Sequence, residues 1–139
     1  MLVNAELGLD WLNRSAIVAL MTVLDRLTRI CMDLPEANCE RRGSHATFRA
    51  RKKVFAYFLD NHHGDGVIAI ACKVSPGDNA ELVRAQPERF YLPAYIGPRG
   101  WVALRLDVGK VDWDEVKELV GESYRLSTAS RRKPASRVN

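Results

Sequence analysis

The sequence predicts an α+β fold, an antiparallel five-stranded sheet with helices packed on one face. Apolar residues recur at three- and four-residue steps near both ends of the chain, which is typical of amphipathic helices. Between them, short apolar runs are separated by turn-forming residues, which indicates strands joined as hairpins. Such sheets often leave one face uncovered, so we expect an open face opposite the helices. The predicted order is α-βββ-α-ββ-α.

The first helix is expected to begin at Asn13 or Ser15 and to end near Met32. Its core-facing stripe comprises Ile17, Leu20, Leu24, Leu27 and Cys31. The Leu34-Pro35 pair ends it, because the residue before a proline resists the helical conformation. The polar stretch EANCERRGSHA that follows is expected to be a link between elements.

Three strands are expected after this link. In the first, TFRAR, Phe48 and Ala50 alternate with polar residues, and a tight turn near Arg51–Lys53 leads into VFAYFLD. NHHGDG is rich in turn formers, and VIAIACKV has the continuous apolar character of a buried third strand. Two strands around so compact a loop indicate a hairpin.

A short helix is expected over roughly residues 78–86, before Pro87. RFYLPAYI predicts an irregular edge strand, because Pro93 cannot donate a hydrogen bond to a sheet ladder. GPRG is a turn, and the last strand, WVALRLD, alternates between two faces. One face receives Val102, Leu104 and Leu106, and the other receives Trp101, Ala103 and Arg105.

The final helix is expected to start at Asp112, with Glu115 three residues later in an arrangement like a capping box. Its buried stripe comprises Val116, Leu119, Val120 and Tyr124. From Ser127 onward the composition is typical of a disordered tail. We therefore predict an N-terminal extension over residues 1–20, a single domain over residues 21–130 and a basic tail over residues 131–139.

The basic residues are concentrated at the end of the chain. The formal net charge is +4, with 21 basic and 17 acidic residues among 139. Arg131, Arg132, Lys133 and Arg137 lie in the last ten residues, which contain no acid. The remaining 17 basic residues equal the acidic ones in number, so the folded part has no strong global field for nucleic acid.

Cysteine use and hydropathy favour a reducing, cytoplasmic location. Cys31, Cys39 and Cys72 are odd in number and have no zinc-site spacing. Glu6 and Asp10 precede the first apolar run, so a signal peptide is not expected. The run IVALMTVL is far shorter than the roughly 20 residues that span a bilayer, so no membrane partner is expected.

Several stretches, in order and at suitable spacing, match one family template. They are LPEA (34–37), TFRARKKVFAYF (47–58), the lysine of CKV, the run from PERF to PAYIGPRGWVALRLD (87–107), DWDE (112–115) and SYRL (123–126). From about Met21 to Ser130 the chain resembles the MmcQ/YjbR family, also described as YjbR/CyaY-like.

The resemblance implies a compact α+β fold similar to bacterial frataxin and to the double-wing DNA-binding domain of a phage transcription factor. It also implies DNA binding, a label that rests largely on analogy between folds. It offers no catalytic residue to carry over. Because family members usually begin near the position of Met21, residues 1–20 are expected to be an added segment or a start codon placed too far upstream.

The candidate nucleic-acid interface lies on the predicted open face. Its residues are Arg49, Arg51, Lys52, Lys53, Arg99, Trp101 and Arg105, with Tyr95 as a further stacking surface. Cationic side chains attract phosphates and aromatic rings stack on unpaired bases. The alternative for the basic hairpin is a charged strand edge that discourages aggregation. For Trp101 the alternative is packing over the sheet edge.

Other chemistries have weaker support in the sequence. His62 and His63 are adjacent and no second ligand pair matches them, so a solvated turn is expected rather than a metal site. Iron binding would require closely spaced carboxylates. In the first predicted helix, Arg26 and Arg29 lie between Asp25 and Asp33, which disfavours such a site. Cys39 and His45 lie close in sequence, but no orienting third group or nucleophile elbow accompanies them.

We therefore expect a non-enzymatic cytoplasmic protein, without cofactor or metal, that binds DNA through the sheet face. The tail would add affinity for phosphates or serve solubility alone. The alternative function is a protein- or small-ligand-binding module that uses the Trp101 face and the GPRG turn.

Overall fold

The computed structural model describes residues 22–129. Its helices are α1 (Val23–Met32), α2 (Asp78–Ala85) and α3 (Trp113–Thr128). Its strands are β1 (Ala37–Arg42), β2 (His45–Ala50), β3 (Lys53–Asp60), β4 (Ile68–Lys73), β5 (Phe90–Tyr91) and β6 (Trp101–Arg105). Single 3-10 turns occupy His62–Gly64 and Gly97–Arg99. The predicted extension and the basic tail lie outside the described residues.

The prediction of an α+β fold with an antiparallel sheet is confirmed, but the sheet has six strands instead of five. Their spatial order is β1-β2-β3-β4-β6-β5, with every neighbouring pair antiparallel. The additional strand, β1, lies in the stretch that we predicted as a polar link. It pairs with β2 from Ala37 opposite Ala50 to Arg42 opposite His45. Because an edge strand is held by backbone hydrogen bonds and four of its six side chains are exposed, it has no strong apolar signal.

Helix α1 begins later than predicted. Thr22 has an extended backbone and caps the helix: its side chain accepts a hydrogen bond from the Asp25 amide at 3.0 Å. The Asp25 carboxylate accepts one from the Thr22 amide at 3.2 Å, which completes a capping box. A single helix from Asn13 or Ser15 to Met32 is therefore wrong, because this cap interrupts it. The predicted core contacts Leu27 and Cys31 are fully buried.

Helix α3 is joined to the sheet by one buried hydroxyl. Ser123 Oγ donates a hydrogen bond to the Phe55 carbonyl at 2.6 Å and accepts one from the Lys73 amide at 2.8 Å. The β3–β4 register, extended by two residues beyond Tyr57 opposite Ala71, would place Phe55 opposite Lys73. The serine therefore stands where the two strands would otherwise hydrogen-bond each other. A register shift in the adjoining β2–β3 ladder, next to Phe48, lies beside it.

The face opposite the helices is covered at its centre, so the expectation of an open face is wrong there. Ala69, Ala71 and Ala103 alternate with core residues along β4 and β6, yet each is 0% exposed. Trp101 is also buried, at 8% exposed. Residues 93–96 of the connection between β5 and β6 line a cavity on this face together with Tyr57. An apolar pattern cannot show that a loop returns over the sheet.

We expect Ser123→Ala to lower the free energy of unfolding by about 1–3 kcal/mol, because a buried carbonyl and a buried amide lose their partner together. Urea denaturation measures the change. Ser127→Ala is the matched control on the same helix. Its hydroxyl is buried and has no hydrogen-bond partner among residues 22–129, so the effect should stay within about 0.5 kcal/mol. Equal losses in the two variants would contradict this role for Ser123.

Candidate functional site

A cavity of about 350 Å³ lies over the sheet face that carries Trp101. Strand β3 contributes Tyr57 and Leu59 to its wall, and β5 contributes Tyr91. The remaining lining comes from the β3–β4 connection (His62, His63 and Asp65) and from the stretch Pro93, Ala94, Tyr95 and Ile96. The cavity is therefore built where two connections fold back over the sheet, a common location for binding sites.

The β3–β4 connection is closed by its own hydrogen bonds. The Asn61 side chain accepts from the Gly66 amide at 2.7 Å, and the Asn61 amide donates to the Val67 carbonyl at 2.9 Å. Asn61 and His63 both have left-handed backbones, with φ of 55° and 57°. Non-glycine residues adopt this conformation at some cost, so the surrounding bonds hold the histidines in a defined place.

The opposite wall has a similar feature. Tyr95 has φ of 68° and is 84% exposed. Hydrogen bonds from the Ile96 amide to the Ala94 carbonyl (2.7 Å) and from the Gly97 amide to the Pro93 carbonyl (2.9 Å) tighten the chain around it. A large, exposed aromatic ring on a constrained backbone is a surface available for stacking.

Three histidines are brought together beside the cavity. The His45 and His62 ring centroids are 5.2 Å apart, and those of His62 and His63 are 3.9 Å apart. Burial, followed by the neighbouring charges of His63 and His45, holds the pKa of His62 below its usual value. The prediction of a turn at these residues is confirmed. No group of three histidine, cysteine or carboxylate side chains in the described part of the chain is placed to hold a metal ion.

Trp101 supports the cavity from beneath. Its ring centroid is 5.4 Å from that of Tyr57, which lines the cavity. The side-chain amide of Asn79 donates to the Trp101 carbonyl at 3.2 Å and to the Gly97 carbonyl at 2.9 Å, which ties β6 to the GPRG turn. Burial raises the pKa of Tyr91, so its hydroxyl stays protonated and can donate a hydrogen bond.

Three of the predicted cationic residues are paired with carboxylates. Arg49 lies 2.7 Å from Glu40, Arg51 lies 2.8 Å from Glu36, and Arg105 lies 3.0 Å from Asp107. Glu40 lies on β1, and Asp107 lies two residues after the end of β6. These pairs neutralise much of the positive charge that the sequence indicated on this face.

The other predicted cations lie in two separate places. Lys52 and Lys53 are exposed at the β2–β3 turn and have no ion-pair partner within residues 22–129. Arg99 is exposed on the GPRG turn, beside a second cavity that Lys73 also lines. The seven predicted residues therefore do not form one surface. Trp101 is buried, and the cations divide between the hairpin turn, the paired positions and the GPRG turn.

Sequence reasoning missed most of the cavity lining. The sequence did not identify Tyr57, Tyr91 and His62 as site residues. They come close to one another only because loops fold back over the sheet. Cys39 and His45 were considered together, but Cys39 lies against the core while the His45 ring contacts His62 on the opposite face. Cys31, Cys39 and Cys72 are free thiols.

The fold defines a small α+β domain with a helical layer on one sheet face and a loop-covered cavity on the other. The YjbR family model matches residues 32–126, and the chain belongs to the YjbR family. The resemblance noted in the sequence is thereby confirmed. No curated protein matches the chain.

A solved structure is also similar to this protein. It is the crystal structure of Deinococcus radiodurans protein DR2400, which contains a DUF419 domain. The two chains are 25% identical with a TM-score of 0.63, and the match covers 84% of this chain and 86% of that one. Among the residues described, no helix has both the length and the apolar character to cross a membrane.

We expect the protein to lose stability as the pH falls below about 6.5, the ordinary pKa of histidine. Since the folded state depresses the pKa of His62, the unfolded chain binds the proton more readily and is favoured in acid. Chemical denaturation across this pH range measures the slope. His62→Gln should flatten it, because glutamine does not titrate. An unchanged slope in that variant would contradict the assignment.

Proposed function

We propose that this protein is a non-catalytic binding module that takes a small, uncharged aromatic molecule into the cavity beside Trp101. The observation that carries the proposal is the lining. Rings from Tyr57, Tyr91, Tyr95 and the two histidines surround a space of about 350 Å³, within the range of small-molecule sites. Flat rings stack favourably on such surfaces.

The charge of the lining selects against anions. Asp65 is the one lining residue from the aspartate, glutamate, lysine and arginine group in the described chain. The depressed pKa of His62 keeps its imidazole neutral near pH 7. A phosphate or carboxylate would therefore meet an acidic side chain, and Arg105, the cation that acts on Asp65 and Tyr91, is already paired with Asp107. Neutral imidazole and tyrosine hydroxyl groups instead suit the polar edge of an uncharged heteroaromatic ring.

Indole, phenol and quinoline, titrated into ¹⁵N-labelled protein, test this proposal. We expect saturable amide shifts confined to residues 57–65 and 91–96, and we expect Ala94→Trp to abolish them by filling the cavity. Ala80→Trp makes the same substitution on the exposed surface of α2 and should leave the shifts intact. Absence of saturable shifts with all three probes, or equal shifts in Ala94→Trp, would overturn the proposal.

Nucleic-acid binding is a second candidate, supported by the cations at the β2–β3 turn. Arg51, Lys52 and Lys53 are consecutive and exposed, and only Arg51 is paired with a carboxylate in the part of the chain that the structure covers. The left-handed backbones of Arg51 and Lys52 form the tight turn that projects them. In this second candidate function, the β2–β3 turn and the basic tail contact phosphates. The buried Trp101 contributes no stacking surface.

We expect Lys52→Ala/Lys53→Ala to reduce the salt dependence of binding to mixed-sequence duplex DNA, by roughly one unit of log-log slope for each lost phosphate contact. Fluorescence anisotropy over a salt series measures the slope. Lys110→Ala/Lys117→Ala is the control, because it removes the same charge from exposed positions elsewhere. Equal slopes in the two double variants would count against the hairpin turn as the contact.

The absence of catalysis and the cytoplasmic location remain parts of the proposal. Cys39 and His45 lie on opposite sides of the sheet, which supports a binding role over thiol chemistry. Cys31 and Cys72 are buried free thiols, a state that a reducing compartment preserves.

A further inference from the structure

A groove of about 330 Å³ separates α2 from α3, on the far side of the sheet from the aromatic cavity. Its apolar lining consists of Val74, Leu82, Phe90 and Leu119. Its acidic lining consists of Asp78 and Glu81 from α2, and Glu115, Glu118 and Glu122 from α3. Two acidic walls thus face each other across an apolar floor.

The carboxylates of this groove are only partly neutralised. Glu81 pairs with Arg84 and Glu115 pairs with Arg89. Glu122 accepts a hydrogen bond from the Ser75 hydroxyl at 3.3 Å. Asp78 and Glu118 have no ion-pair partner within the described range. Like charges on both walls repel, so a cationic occupant lowers the electrostatic energy while its methylene groups cover the apolar floor.

The chain itself contains a cationic segment shortly after the end of α3 in the sequence. Residues 131–137 read RRKPASR, with four cations and no acid. Glu115, Glu118, Glu122 and Ala129 are separated by three, four and seven residues, so they lie along one side of the helix. The last described residue, Ala129, therefore lies on the same side of α3 as the acidic wall.

The length of the segment also fits. At about 1.5 Å of rise per helical residue, Glu122 lies roughly 10 Å and Glu115 roughly 21 Å before Ala129. An extended chain covers about 3.3 Å per residue, so the eight residues after Ala129 reach roughly 26 Å. A segment that reverses direction at the end of α3 can reach the entire acidic wall.

We propose that the groove between α2 and α3 binds the basic segment Arg131–Arg137 of the same chain. In this proposal the cations of the segment pair with the carboxylates of the two acidic walls. Its cations are then withheld from external phosphates, so the groove and any nucleic acid compete for one segment.

Paramagnetic relaxation in the full chain tests this contact. A nitroxide on Ala135→Cys, in a Cys39→Ser background, labels the segment alone because Cys31 and Cys72 are completely buried. We expect the label to broaden the amide signals of Leu82, Glu118 and Leu119 at low salt. The broadening should disappear near 0.5 M salt, where the Debye length is roughly 4–5 Å.

Neutral variants separate a specific contact from general attraction. Glu118→Gln/Glu122→Gln should reduce the broadening, whereas Asp33→Asn/Glu88→Gln removes the same charge from exposed positions outside the groove and should not. Equal broadening in both double variants, or no broadening in the parent protein, overturns the proposal. Broadening of ¹⁵N-labelled protein by a separate spin-labelled molecule would show binding between chains and would also overturn it.

Discussion

The Ser123 hydroxyl occupies the position where β3 and β4 would otherwise hydrogen-bond each other. It accepts a hydrogen bond from the Lys73 amide and donates one to the Phe55 carbonyl. One side chain of α3 therefore provides hydrogen-bond partners for backbone groups of two strands. The next residue, Tyr124, packs its ring 5.3 Å from that of Phe55 and donates its hydroxyl to the Pro35 carbonyl at 2.7 Å. Helix α3 is thereby placed relative to the sheet and to the loop after α1, and α1 packs against it.

The two faces of the sheet are built by different means. The helical face is an apolar core in which Phe48, Phe55 and Ile70 are fully buried. The other face combines small side chains, such as Ala71 and Ala103, with a connection that folds over them. Small residues let that connection approach closely, and the aromatic cavity lies between the connection and Tyr57. The candidate binding site therefore results from the loop path rather than from a dedicated motif.

Local ion pairs neutralise part of the charge on the described surface, and two regions keep an excess of one sign. Arg49, Arg51 and Arg105 each have a carboxylate partner, so the sheet face is less cationic than its residue list indicates. The β2–β3 turn keeps exposed lysines, and the groove between α2 and α3 keeps excess carboxylates. Exposed ion pairs contribute little stability individually, but they determine which surfaces remain available to charged partners.

The sequence by itself determined the family, the α+β class, three helices in the described chain and five of the six strands. These follow from the regular spacing of apolar residues such as Leu27, Val102 and Val116. The spacing is visible in a single sequence because the buried face of a helix or strand recurs with the period of that element. Only the tertiary structure showed strand β1, the ion pairs of the arginines, the burial of Trp101 and the cavity. Each depends on residues distant in sequence that meet through backbone hydrogen bonds or a returning loop, and local patterns carry no record of such contacts.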